Sequence, residues 1–296
     1  MKGNKQSLIT LARLIRCSQW IKNIFVFFPL FFGHKILDLE LLKPCVWAVL
    51  LFCLLSSAVY CFNDICDWKT DRLHPVKRYR PLAAGEVSLS ETIVVMVVFL
   101  FLALGGCVAL GLYKLLYVFI AYVVLNVLYS SWLKRIAIVD VLVLALFYVM
   151  RLIAGSVVTG VENSQWIILM TFLLALLLGL GKRRDDMVKC NETNTVLRQS
   201  TTSYSLSFVN VSMGIVGSVT IVCYIMYTVS EEVMAHVGSH YLYVTSLFVL
   251  ASVLRYLQLA ICNGESGSPT RLMWRDHFLQ ICVVCWFGCF ILLLYL

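Results

Sequence analysis

Asp64, Asp67 and Asp71 are spaced i, i+3 and i+7, which on a helix places all three carboxylates on one face. Asn63 stands four residues before Asp67 and shares that face. Neighbouring carboxylates repel one another unless a cation lies among them. Hard oxygen donors with no paired histidine suit Mg2+, which keeps several waters and bridges to substrate phosphates. Bases follow at once, at Lys77, Arg78 and Arg80. A divalent cation beside a basic cluster is the arrangement that holds a diphosphate and stabilises it as a leaving group. Asp64, Asp67 and Asp71 are therefore the candidate catalytic residues and, with Asn63, the candidate metal ligands. The plainer reading is a solvated loop in which the acids pair with Lys69, Arg72 and Lys77. Surface pairs of that kind are common and worth little. These acids, however, lie at the mouth of an apolar run, where ionisable groups are costly and usually functional.

A second charged stretch reads Gly181-Lys182-Arg183-Arg184-Asp185-Asp186-Met187. Its plain reading is a charge cluster that ends a span. Its chemical reading is a second phosphate clamp, Lys182 to Arg184, with Asp185 or Asp186 assisting the metal. Further polar residues interrupt apolar runs. Asn126, Tyr129 and Ser130 lie about one turn apart. Asp140 and Arg151 share one expected helix but are separated by ~16 Å at ~1.5 Å per residue, too far to pair directly. Each needs another partner: a helix, a ligand or a phosphate. Arg255 is expected to be structural or interfacial, because a long basic side chain can snorkel. His236 and His240 have a metal-pair spacing but read better as part of an exposed outer linker.

These residues must be positioned by membrane helices. The chain has 296 residues, of which 61% are hydrophobic and only 14% charged, and its mean hydropathy is +0.88. Soluble domains are about 45–50% apolar and about 25% charged, so a soluble enzyme, a disordered chain and a secreted disulfide scaffold are all excluded. The long unbroken apolar runs also exclude a barrel of short alternating strands. What remains is an all-α polytopic membrane protein. Apolar stretches fall near 24–37 (with a helix start near Leu11), 44–62, 92–111, 115–133, 136–159, 165–181, 206–229, 241–262 and 277–296. That pattern predicts nine transmembrane helices in a single domain, residues 1–296. Pro29 and Gly33 interrupt the first stretch.

Orientation follows from the bases. Of 24 Lys and Arg residues, all but Lys35, Lys43, Lys114, Arg151 and Arg255 fall in the N-terminal segment or in alternate loops. The positive-inside rule then places the N-terminus and both charged stretches in the cytoplasm. The formal net charge of +8 is accounted for mostly by that rule and by anionic lipid headgroups. The rule does not explain acids gathered in the same loop as the bases. Of the twelve cysteines, most lie inside apolar runs and read as small packing residues. Cys282, Cys285 and Cys289 share a helix face and are the one set with a metal alternative. No cleavable signal peptide is expected, since Met1–Gln19 is basic and polar.

The motif Asn63-Asp64-x-x-Asp67-x-x-x-Asp71, followed by Arg80-Pro81-Leu82-Ala83-Ala84-Gly85, resembles the first aspartate-rich motif of the UbiA superfamily of intramembrane prenyltransferases. Gln19-Trp20-Ile21-Lys22-Asn23, Tyr129-Ser130-Ser131-Trp132-Leu133-Lys134 and Arg151-Leu152-Ile153-Ala154-Gly155 narrow the resemblance to its phosphoribosyl-transferring branch, as does Gly181-Lys182-Arg183-Arg184. It covers residues 16–205; the last three spans add only hydrophobicity. Aromatic prenyltransferases of the superfamily usually carry a second Asp-x-x-x-Asp. Here Asp185 and Asp186 are adjacent and follow three bases, which counts against a prenyl diphosphate donor.

The resemblance implies a UbiA-type helical bundle in the inner (plasma) membrane, with its active site facing the cytoplasm. It implies Mg2+-dependent transfer of 5-phosphoribose from 5-phosphoribosyl 1-diphosphate to a polyprenyl (decaprenyl-type) phosphate. Asn63, Asp64, Asp67 and Asp71 would hold the metal. Lys77, Arg78 and Arg80 would neutralise the departing diphosphate, and Lys182, Arg183 and Arg184 would grip phosphates. Lys22, Asn126, Tyr129, Lys134, Asp140, Arg151, Asp185 and Asp186 complete the substrate-binding candidates. The alternative on the same fold is an aromatic prenyltransferase using a polyprenyl diphosphate. A transporter would show internal repeats and matched broken spans, which are not seen. Membrane lipid is an expected partner, nucleic acid is not, and a homo-oligomer is compatible with the pattern.

Overall fold

The computed structural model describes residues 2–73, 76–193, 204–263, 272 and 275–295, and among these every regular element is helical. Seven helices are long and apolar enough to cross a membrane. They match seven of the nine expected spans. The first and last expected spans correspond to shorter apolar helices, Cys17–Phe32 and His277–Leu293. The first is shortened by its own sequence. Arg16 and His34 adopt positive φ, and Pro29 starts a new turn inside the segment.

The chain forms two compact units. The first comprises Met1–Leu133 and Met150–Asn163. It contains α1 (Lys2–Leu14), a 3-10 segment (Cys17–Phe27), α2 (Phe28–Phe32), α3 (Leu39–Asp71), α4 (Pro81–Ala84), α5 (Leu89–Ala109) and α6 (Tyr113–Ser131). The C-terminal half of α7 (Val139–Thr159) belongs to it as well. Helix α3 is the buried post of this unit. Phe52 is fully buried and meets Phe119 and Tyr122 edge-on at 5.1 and 5.0 Å, a favoured aromatic geometry. Along α5, Val94, Val97 and Phe101 are exposed while Ala103 and Cys107 are buried, as expected of a helix with one face toward lipid. Gly155 allows α7 to approach the 3-10 segment closely. A methyl group there would lie 2.0 Å from the Val26 carbonyl oxygen.

The second unit comprises Lys134–Val149 and Ser164–Leu296. It holds the first part of α7, then α8 (Gln165–Thr193), α9 (Leu206–Thr228), α10 (Glu231–Val237), α11 (Thr245–Ile261) and α12 (His277–Tyr295). Val141, Leu177, Leu180, Met213, Tyr256 and Leu259 form its core. The described cysteines are free thiols, and Cys45, Cys53, Cys61 and Cys107 are buried as packing residues.

The Asp64–Asp71 acids and the Lys182–Asp186 stretch lie on helical continuations rather than in loops. Helix α3 continues through Asp71, beyond its apolar run. Helix α8 continues to Thr193. Its extension is supported by pairs along its own surface, Arg183 with Asp186 at 3.0 Å and Lys189 with Asp185 at 2.6 Å. Pairs at i+3 and i+4 stabilise a helix that leaves the apolar environment.

Candidate active site

In the first unit, Asp64 and Asp71 are two turns apart on α3 and both are buried, at 2% and 3% exposure. Arg80 Nη1 donates to both, at 3.1 Å to Asp64 Oδ1 and 2.6 Å to Asp71 Oδ2. One cationic nitrogen thus joins the two carboxylates. Pro81 helps to place it. The residue before a proline is confined to extended backbone, and Arg80 has φ −68° and ψ 142°. Pro81 then begins α4, and Gly85, at φ 76°, ends it. Two further contacts hold this strap: Arg72 Nε donates to the Ala83 carbonyl at 3.2 Å, and Arg13 pairs with Glu86 at 2.8 Å.

A second base completes the cluster. Arg16 donates to Asp64 Oδ1 and lies 4.8 Å from the Tyr60 ring centre. It is in the left-handed region, at φ 53°, which is unfavourable for a residue with a Cβ. Held backbone strain of this kind is concentrated at functional sites. The sequence reading missed Arg16 as a site residue; its only signal there was a basic residue ahead of the first apolar run. Asn63 accepts from the Ser130 hydroxyl, which ties the acidic end of α3 to α6. Asp67 is half-buried on α3, Lys77 is half-buried, and Arg78 is exposed and donates to the Tyr79 hydroxyl at 2.7 Å. Among the described residues no three His, Cys, Asp or Glu side chains gather closely enough to hold a metal ion.

The donor chemistry nonetheless fits a hard divalent cation. Asp64 and Asp71 already converge on one positive centre, supplied by Arg80. Oxygen-only donors of this type suit Mg2+.

Other expected site residues are held inside the protein. Arg151 is buried; its Nε donates to Asn23 Oδ1 at 2.9 Å and its Nη2 to the Tyr122 hydroxyl at 3.1 Å. The Phe52 ring centre lies 5.1 Å from its guanidinium. Asn126 is buried and donates to the Tyr122 carbonyl at 2.7 Å. Tyr129 is buried on the same helix, and Lys22 is half-buried. In the second unit Asp140, fully buried, accepts from Arg183 Nε at 2.5 Å and from the Tyr204 hydroxyl at 3.1 Å. Tyr204 was not singled out in the sequence, since nothing in its local pattern marks it. Its phenol also accepts from the Ile138 amide, and burial pushes its pKa up to about 12. Arg184 donates to Asn210 at 2.8 Å and to the Ile261 carbonyl at 3.1 Å. Lys182 is exposed and Lys134 half-buried. Asp140 and Arg151 therefore find separate partners, as their spacing required. Arg255 is structural, with Asp276 at 2.6 Å. His240 is exposed, and the His236 side chain lies outside the described residues.

A helical membrane chain with acids and bases joined at the end of a long span has the parts for phosphate chemistry. The model of the UbiA prenyltransferase family matches residues 26–280, and the chain belongs to that family. The decaprenyl-phosphate phosphoribosyltransferase of Mycobacterium tuberculosis is 30% identical over 279 residues, covering 93% of this chain and 91% of that one. The protein of the same name from Corynebacterium glutamicum is 25% identical, covering 97% of this chain and 87% of its own. A UbiA homolog from Archaeoglobus fulgidus, solved bound to DMAPP and Mg2+, shares the fold with a TM-score of 0.70 at 20% identity, covering 96% of this chain and 99% of that one.

Proposed function

We propose that this chain transfers 5-phosphoribose from 5-phosphoribosyl 1-diphosphate to a polyprenyl phosphate of the decaprenyl type and releases diphosphate, with Mg2+ as cofactor. The observation that carries the reading is the convergence of Asp64 and Asp71 on the Arg80 guanidinium, with Arg16 also paired to Asp64. The naming of relatives similar over most of the chain supports the donor and acceptor.

Asn63, Asp64, Asp67 and Asp71 would hold Mg2+, which when bound neutralises diphosphate charge and favours its departure. Arg80 and Arg16, on exchanging a carboxylate for a phosphate oxygen, stabilise the leaving group, with Lys77 and Arg78 adding positive charge. The acceptor's phosphate oxygen forms the new bond to the anomeric carbon as the bond to diphosphate breaks. A phosphate dianion is nucleophilic near neutral pH, so no dedicated base is required. Positioning and charge stabilisation carry the rate. Lys22, Asn126, Tyr129 and Lys134 are assigned to positioning substrates. Lys182 is assigned to a substrate phosphate. Arg151 braces the helices of the first unit, and Arg183 and Arg184 brace those of the second. Asp140 and Asp186 keep Arg183 in place, and Asp185 pairs with Lys189.

The family model runs through both units, which supports treating residues 1–296 as one transmembrane domain. Counting the helices Cys17–Phe32 and His277–Leu293, we assign nine spans in the plasma membrane. The N-terminus and the acids then face the cytoplasm, as the distribution of bases requires. Membranes containing the protein are incubated with labelled 5-phosphoribosyl 1-diphosphate, and separately with a labelled prenyl diphosphate, and the lipid is extracted. Label should enter lipid from the first donor. Label entering only from the second would replace this reading with prenyl transfer.

A further inference from the structure

A recess of about 310 Å3 opens in the first unit, at the acid-bearing ends of α3 and α5. Trp68 of α3 and Arg72, which caps it, form one wall; Leu82, Val87, Ser88 and Leu89 form the other. The Arg72 guanidinium lies 4.7 Å from the centre of the Trp68 ring, and Lys69 Nζ lies 5.6 Å from it. Two cations therefore share one indole at the boundary between apolar span and polar extension. The nearby acids have their own partners. Glu91 accepts from the Ser88 amide at 2.7 Å and hydroxyl at 2.8 Å, and Glu86 pairs with Arg13. Arg72 therefore brings positive charge to a recess whose other wall is mostly apolar, with Lys69 on the same indole.

We propose that this recess binds the phosphate headgroup of an anionic phospholipid. The Trp68 ring is the interfacial anchor expected at that depth. Arg72 meets the phosphate, as basic pockets between spans meet lipid headgroups, and Lys69 adds positive charge nearby. Leu82, Val87 and Leu89 contact the glycerol and the upper acyl chain. The volume is near the lower end of the range for ligand sites, which suits a headgroup and excludes a whole lipid. The site lies behind α4, whose first flanking residue, Arg80, joins the catalytic acids. Arg72 also donates to the α4 residue Ala83, so a bound lipid braces the strap that carries Arg80. The proposal does not depend on the identity of the sugar donor.

The full chain in detergent is mixed with phosphatidylglycerol and phosphatidylcholine and examined by native mass spectrometry. The wild type should retain one phosphatidylglycerol in preference to phosphatidylcholine, and Arg72→Gln should lower that retention about tenfold. Equal retention of the two lipids, or unchanged retention by Arg72→Gln, overturns the proposal. Competition by millimolar glycerol phosphate would assign the recess to a soluble phosphate and likewise overturn the lipid. Should Arg72→Gln fail to fold, quenching by brominated-chain phosphatidylglycerol decides. Quenching should be stronger for the wild type than for Trp68→Phe, and brominated phosphatidylcholine should show no such difference. Equal quenching of the two proteins overturns the site.

Discussion

Arg183 of α8 and Asp140 of α7 form an ion pair at 2.5 Å with neither side chain exposed. Removing one partner of a buried pair leaves an uncompensated charge and costs about 3–5 kcal/mol, whereas replacing both with apolar residues is often neutral. Arg183→Met alone should therefore lower the thermal stability of the detergent-solubilised protein sharply. The double change Arg183→Met with Asp140→Leu should recover most of the loss. A double variant as unstable as the single one would show that the pair acts through something other than charge compensation.

Asp64→Asn and Asp71→Asn remove charge from the two acids that Arg80 joins. Each should reduce label transfer to lipid by about 100-fold or more while leaving the protein monodisperse. Chelation by EDTA should abolish transfer, and added Mg2+ should restore it. Full activity in excess EDTA would remove the metal role assigned to these residues.

Gly155 and Gly214 test close approach. A methyl group at 155 meets the Val26 backbone, while at 214 it meets nothing within 4 Å. Gly155→Ala should destabilise by about 1–3 kcal/mol, the usual penalty for overpacking. Gly214→Ala in α9 should be neutral or slightly stabilising, as replacing a helical glycine with alanine usually is. Parallel thermal melts in one detergent give the comparison.

The Tyr204 phenol has its pKa raised from 10.0 to about 12, mainly by burial. The folded protein therefore favours the neutral phenol. Its contribution to stability is complete below pH 10 and is lost as pH rises towards 12. Tyr204→Phe should lose about 1.5–3 kcal/mol at neutral pH, the worth of a hydrogen bond to the charged Asp140. It should also show a shallower decline above pH 10. Parallel alkaline declines for the two proteins would rule out this titration.

Much of the molecule was legible from local pattern. Run lengths and the placement of bases located the spans, and seven match helices of spanning length. The Asp64–Asp71 spacing announced a shared helical face, which α3 provides. The two shorter helices, Cys17–Phe32 and His277–Leu293, differ from simple hydropathy. In the first of them backbone breaks at Arg16 and Pro29 act over single residues that a hydropathy average smooths away. The helical extension of α8 beyond its apolar run was less legible, because side-chain pairs along the helix support it.

The sequence by itself determined that the chain is an all-helical membrane protein with a constellation of acids and bases suited to phosphate chemistry. Those properties follow from composition and from the periods of strand and helix, which are local. Only the tertiary structure decided which base meets which acid. Arg80 and Arg16 close on Asp64, Arg183 turns inward to Asp140, and Arg151 is enclosed by Asn23 and Tyr122. Partners distant in sequence, such as Asn23 and Arg151, are selected by packing geometry and by the need to satisfy every buried charge, and no local pattern encodes that choice.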